Sequence, residues 1–196
     1  MTHKLESKEC RFEFADGFVA IGAFKHHRLG RNPPEDNAIS VSLGTVGQCQ
    51  TFSRCQVKGQ VVHSLSYKRV VKRNNFTVSY INTHGINSYG QVAFFLQNVP
   101  ICDSSCISNC NVHKASYWAV ILKLQRLEEA HLQLNFDQEE SDPPVRVFHP
   151  EMCLVKTCSE ATEVVPISQI LDVLMFINFD CNYAYVCHSP NKIEKD

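Results

Sequence analysis

Four cations stand together at Lys68, Arg69, Lys72 and Arg73, with Tyr67 before them and Phe76 and Tyr80 after. Lys and Arg neutralise phosphates and release counterions, and an exposed aromatic ring can stack on an unpaired base, so this grouping points to contact with nucleic acid. Lys25, His26, His27, Arg28 and Arg31 extend the same basic character upstream. The competing reading is a solvated charged face, with Phe76 and Tyr80 turned into a core because they fall on alternate positions of a strand pattern.

A second grouping is Cys102-x3-Cys106-x3-Cys110-x2-His113, four soft ligands within twelve residues. That set suits a tetrahedral structural zinc, which would order a loop with little apolar content of its own. Familiar zinc frames space their pairs as Cys-x2-Cys, so unligated thiols are the competing reading. Cys153 with Cys158, and Cys181 with Cys187, read as small buried apolar groups. Tyr89, Phe94, Tyr117, Trp118 and Tyr183 supply aromatics from which a cage for a methylated lysine could be built, although aromatic side chains more often fill cores.

Catalytic chemistry finds no comparable support. A Cys/His pair can be drawn from ten Cys and nine His, but none has the flanking context of a nucleophile turn. There is no phosphate-cradling Gly loop, no His-Glu-x-x-His and no Gly-x-Ser-x-Gly. Asp137, Glu139, Glu140 and Asp142 lie on a Pro-bounded stretch and are expected to face solvent. The expectation is a protein that is not an enzyme and that takes no small-molecule substrate.

The elements that must position these residues are mostly strands. Residues 11–24 alternate apolar positions about Gly17 and Gly22, as in a hairpin, and residues 25–37 read as a loop about the Pro pair. Residues 38–43 alternate Ile39, Val41 and Leu43 with Ser40 and Ser42, which predicts a short strand. Residues 56–62 suggest a strand with a Gly bulge. Phe76, Val78 and Tyr80 predict a half-buried strand, residues 82–88 a turn, and residues 91–96 a strand apolar on both faces toward its end. Residues 99–115 form a Cys-rich loop. Residues 116–127 suit either period, and Tyr-Trp-Ala-Val-Ile favours sheet over helix. Further strands are predicted around Leu132, Leu134 and Phe136, at 145–147, 152–156, 173–179 and 183–187, with a Pro-led helical turn after Pro166. Short strands at intervals of about 8–12 residues argue for a small barrel or sandwich, and closure would remove exposed edges.

The chain has 196 residues, 44% of them apolar and 20% charged, which are globular values. Its net charge of −1 hides an asymmetry: residues 1–80 hold 12 Lys/Arg against 6 Asp/Glu, and residues 81–196 hold 7 against 14. A basic half before an acidic half fits a polyanion-facing segment or two parts that attract each other. The charged start Met-Thr-His-Lys-Leu-Glu has no apolar core of a signal peptide. No run nears the roughly 18 apolar residues that span a bilayer. An intracellular protein with no membrane partner is the expectation, and its cysteines then read as thiols or metal ligands.

From Phe76 onward, Tyr89-Gly-Gln-Val-Ala-Phe-Phe-Leu is followed by Trp118-Ala-Val-Ile-Leu-Lys, Leu154-Val-Lys, Val164-Val-Pro-Ile-Ser-Gln-Ile and Tyr183-Ala-Tyr-Val-Cys. This order of features resembles a bromo-adjacent homology (BAH) module. It is also similar to the C-terminal β domain beside transposase-like sequences in animal mobile-element-derived proteins. There Tyr67-Lys-Arg, Lys72-Arg-Asn-Asn-Phe-Thr-Val and the ending Ser189-Pro-Asn-Lys-Ile-Glu-Lys-Asp have counterparts. The likeness covers roughly 130 residues and rests on strand patterns. It implies a nuclear, non-catalytic interaction domain of a mobile-element-derived protein; the Cys-rich insert 99–115 departs from the BAH pattern, and no transposase carboxylate triad is recognisable. The combined expectation is an all-β protein with minor α: a BAH-like β-barrel over residues 56–196 and a β-rich N-terminal arm over 1–55. Its partner is nucleic acid or a chromatin protein, through Lys68, Arg69, Lys72 and Arg73. The alternative is a protein-interaction scaffold ordered by zinc at Cys102, Cys106, Cys110 and His113.

Overall fold

A computed structural model describes residues 11–14, 17–27, 33–44, 47–68, 75–100, 115–127, 132–133, 146–147, 152–157, 161–178 and 181–188. In chain order the elements are β1 (Arg11–Glu13), β2 (Val19–Ile21), β3 (Lys25–His26), α1 (Pro33–Leu43), β4 (Gln48–Phe52), β5 (Arg54–Val57), β6 (Gln60–His63), β7 (Thr77–Ile81) and β8 (Asn87–Val99). Then come β9 (Ser116–Arg126), β10 (Leu132–Gln133), β11 (Arg146–Val147), β12 (Met152–Lys156), β13 (Thr162–Pro166), a 3-10 turn (Ile167–Gln169), β14 (Ile170–Asn178) and β15 (Tyr183–His188). The protein is all-β with minor α, and among the described residues no helix is long and apolar enough to cross a membrane.

β8 organises the larger sheet. One of its edges pairs with β9 from Tyr89 to Asn98. Its other edge is shared: β7 takes Asn87–Gln91 and β4 takes Phe95–Val99. β9 is divided in the same way, with β13 along Trp118–Leu122 and β12 at Gln125–Arg126. Following the pairings from β9 through β12, β15, β14, β7 and β8 returns to β9, so the sheet is partly closed. The seam between β9 and β12 is short, two residue pairs. A separate four-stranded sheet runs β1-β2-β5-β6.

Three apolar clusters follow from this layout. Ala20, Cys55, Val57 and Val62 of the four-stranded sheet, with Phe14 beside them, pack on Val78, Tyr80, Val92, Phe95, Ala119 and Ile121 of the larger one. Ile39 of α1 packs with Cys49, Ala93, Leu96, Val120 and Val164. Leu124, Val155, Leu174, Ala184 and Val186 form the third, from four strands of the ring. Ala119, Val120 and Ile121 are consecutive and all fully buried, because odd positions of β9 face the first cluster and Val120 the second. β5 runs through residue 55, so described residues on both sides of that point share one sheet and one core.

Several local expectations need correction. Residues 33–43 are helix, not loop and strand. Pro33 opens α1, where a missing N–H removes no helical bond, and Glu35 and Asp36 occupy the first turn, where the helix dipole favours acid. Gly44, at φ +64°, ends it with its N–H on the Ser40 carbonyl at 3.0 Å. The apparent alternation misleads because a strand would put Ile39 and Val41 on one face, whereas Ile39 is 0% and Val41 76% exposed. Residues 56–62 hold a hairpin rather than a bulged strand. Lys58 (φ +49°) and Gly59 (φ +81°) form its two-residue turn, both in the left-handed region that such turns require. β7 is buried on both faces, not half-buried: Val78 and Tyr80 enter the first cluster, and Thr77 and Ser79 are buried on the opposite side with hydroxyls that have no hydrogen-bond partner among the described residues.

One polar tie crosses the sheet. The buried Tyr80 hydroxyl donates to Glu163 Oε2 at 2.6 Å, and Lys123 Nζ lies 3.3 Å from Glu163 Oε1. The 82–88 turn is fixed by Asn82, whose side-chain carbonyl accepts the N–H groups of His84 and Ile86, each at 2.9 Å.

Candidate nucleic-acid interface

The site begins with an irregularity in β8. Between Val92, opposite Ile121, and Phe94, opposite Val120, Ala93 is an extra residue. A bulge of this kind interrupts the ladder and re-aims the next side chain. On the other edge, the β7 pairing ends at Gln91, followed by a bond from Val92 N–H to the Phe76 carbonyl at 2.8 Å, and the β4 pairing begins at Phe95, which leaves a gap between them. The segment after β6 fills the gap: Leu65 N–H donates to the Val92 carbonyl at 2.8 Å and Ser66 N–H to the Ala93 carbonyl at 3.2 Å. Ser64 secures this strap through N–H and Oγ bonds to the Ser53 carbonyl at 2.9 and 3.0 Å, and its Oγ lies 2.7 Å from Ser66 Oγ. The strap thereby holds Tyr67 and Lys68 beside Phe94.

The second contribution comes from β3, which pairs with β4 through Lys25 opposite Thr51. His27 continues that edge, its N–H on the Cys49 carbonyl at 3.0 Å. Its imidazole stacks on the Phe94 ring, centroids 5.4 Å apart and planes 29° from parallel, and its Nε2 lies 3.2 Å from Asp36 Oδ1 on α1. Together these pieces enclose a cleft of about 400 Å³, lined chiefly by Lys25, His27, Thr51, Tyr67, Lys68 and Phe94, with no carboxylate among its described lining residues.

Tyr67 is supported from behind. The Arg54 guanidinium carbon is 4.8 Å from its ring centroid and the His63 ring 4.9 Å away. Burial, and then the charge of Arg54, lower the His63 pKa, so this imidazole is neutral at pH 7. The arrangement offers cations and flat aromatic surfaces to an anionic, planar ligand, which is the combination that single strands of nucleic acid engage.

Of the cations singled out in the sequence, Lys68 is exposed and lines the cleft. Arg69, Lys72 and Arg73 lie outside the described residues, as do Arg28 and Arg31. Lys25 and His27 join Lys68 across a long stretch of sequence. Tyr80 is core, as its strand position implied. Cys102, Cys106, Cys110 and His113 also lie outside the described residues, and among the described residues no three His, Cys, Asp or Glu side chains are grouped to hold a metal ion.

The aromatics considered for a cage are dispersed. Tyr117 stacks on Phe14 at 3.6 Å in the first cluster, Trp118 packs with Phe94 against the second and donates its Nε1–H to Ser116 Oγ, and Tyr89 packs against the third. Cys181 is exposed rather than buried, because it sits in the short connection between β14 and β15; Cys153 and Cys187 are half-buried. Burial pushes the Cys55 thiol up to about 12 and raises those of Cys49 and Cys153, so these three stay protonated at neutral pH. His188 Nδ1 lies 3.6 Å from Asp172 Oδ2, and Ser79 is opposite Asp172 in the ladder. The Ser79 hydroxyl has no hydrogen-bond partner among the described residues. Compared with known protein families, curated proteins and solved structures, the chain matches none of them.

Proposed function

We propose that this protein is a non-catalytic binding module that contacts nucleic acid through the basic cleft and the adjoining run Lys68, Arg69, Lys72 and Arg73. The observation that carries the reading is convergence: Lys25 and His27 from one segment and Lys68 from another line one cleft with Phe94 and Tyr67, and no carboxylate stands among its described lining residues. Sequence clustering alone would be satisfied by a solvated face; cations from separate segments gathered about aromatic rings favour a ligand. The resemblance to BAH modules and to β domains of mobile-element-derived proteins supports a nuclear setting, with chromatin as the source of the nucleic acid.

The test is fluorescence anisotropy with a labelled oligonucleotide at several salt concentrations. Each phosphate contact contributes about 0.7–0.9 to the slope of log affinity against log salt. Lys25→Glu with Lys68→Glu should weaken binding at least tenfold and flatten the slope by roughly 1.4–1.8. A double variant with the parent's affinity and slope overturns the reading.

A further inference from the structure

We infer that the cleft receives one unpaired base, and that the protein therefore prefers single-stranded nucleic acid to duplex. The inference rests on the nucleic-acid reading above and specifies its ligand. Three observations carry it. The volume, about 400 Å³, lies in the range of sites that hold a small planar ligand and its nearest substituents. Both aromatic residues are brought to the cleft by the fold: Phe94 follows the bulge at Ala93, and Tyr67 belongs to the strap that fills the adjoining gap. Finally, the His27 imidazole covers one face of Phe94 at a stacking distance and angle, and both rings line the cleft, so an inserted base would extend an existing aromatic pair. A nucleobase makes the same kind of contact with an aromatic wall.

Lys25 and Lys68 lie at the same cleft and suit the phosphates on either side of an inserted nucleotide. Hydroxyls of Thr51 and Ser66, also on the lining, suit hydrogen bonds to sugar or base edges without demanding one sequence. A duplex keeps its bases paired and stacked, so it can satisfy the lysines but not the aromatic wall.

Three labelled probes of equal phosphate number separate the terms: a dT12 strand, a 12-mer of abasic sites, and a duplex whose strands together carry that number. At one salt concentration the parent protein should bind dT12 at least tenfold more tightly than either other probe. Phe94→Leu keeps apolar volume but removes the ring, and should bring dT12 down to the abasic level, a loss of roughly 5- to 100-fold. Equal affinity of the parent for dT12 and the abasic strand overturns the inference, as does an undiminished dT12 affinity in folded Phe94→Leu. The abasic comparison uses the unaltered protein, so it decides even where the variant fails to fold. Salt-dependent binding that is lost in the Lys25→Glu/Lys68→Glu variant but is indifferent to bases would sink the base slot alone. Absence of binding to every probe would sink both readings.

Discussion

Gly90→Ala should destabilise the protein by a net of roughly 0.5–2.5 kcal/mol, through overpacking rather than backbone conformation. Gly90 sits in β8 opposite Val78 on one side and Lys123 on the other, where β7, β8 and β9 run together. Its φ is not in the left-handed region, so an alanine backbone is unstrained there. The obstacle is space. A Cβ at this position would lie 2.2 Å from Ile121 Cγ2, 2.9 Å from the Leu122 carbonyl oxygen and 3.2 Å from Tyr80 Cε1. Carbon pairs settle at about 3.5–4.0 Å, so the overlap with Ile121 exceeds 1 Å. Ile121 and Tyr80 are both fully buried, and the Leu122 oxygen belongs to backbone within β9, so relief requires strands to part. Losing glycine's unfolded-state freedom returns about 0.4–1 kcal/mol, less than the overpacking removes. For a chain of this size the net loss lowers the melting temperature by roughly 1–10 °C. Urea unfolding followed by circular dichroism measures it, with the urea dependence of stability unchanged. Ile121→Ala removes the Cγ2 atom in the way, so the double variant should be more stable than the two single losses predict. A Gly90→Ala protein within about 0.5 kcal/mol of the parent, or strict additivity with Ile121→Ala, would refute the reasoning.

Two further outcomes follow from buried groups. Tyr80→Phe should cost about 1.5–3 kcal/mol in urea unfolding, because it deletes a 2.6 Å hydroxyl bond to a carboxylate, and the loss should shrink when Glu163 is already Gln. The Cys55 thiol, raised by burial from 9.0 to about 12, binds its proton more tightly folded than unfolded, so its contribution is full below pH 9 and is lost as pH rises toward 12. Between those limits the parent should lose on the order of 1.4 kcal/mol per pH unit more than Cys55→Ala does; parallel stability curves for the two proteins would contradict the assignment.

The strand content was legible because alternation and β-branched or aromatic residues report burial directly: β9 reads correctly from Tyr-Trp-Ala-Val-Ile, and the Pro-led turn after β13 from Pro166. The errors share a cause. Thr77 and Ser79 look like a solvent face, but a strand enclosed on both sides buries its polar positions too. Ser40 and Ser42 imitate the same pattern within a helix whose boundary residues, Pro33 and Gly44, are also common loop residues. Lys58-Gly59 reads as a bulge rather than a hairpin turn, since it lacks the Asn or Asp that usually takes the first position of such a turn. At the site, the cations were legible as a residue type. Their meeting with Phe94 was not, since it depends on the Ala93 bulge and on β3 pairing with β4.

That dependence explains why a cleft occurs where it does. A strand of 13 residues can serve two neighbours along one edge only if it turns from one to the other, and β8 does so between Gln91 and Phe95. Gly90 permits the close approach of β7 and β9 on one side of the change, and the Ala93 bulge turns the strand on the other. The carbonyls exposed at the change must find donors, and the 64–67 strap supplies them. The strap is also the segment that leads into the basic run, so the requirement that saturates the β8 backbone sets Tyr67 and Lys68 against Phe94. Fold and candidate site are therefore coupled through backbone hydrogen bonding: a change that frees Leu65 and Ser66 from β8 should disperse the cleft while leaving Lys25, Lys68 and Phe94 in the chain.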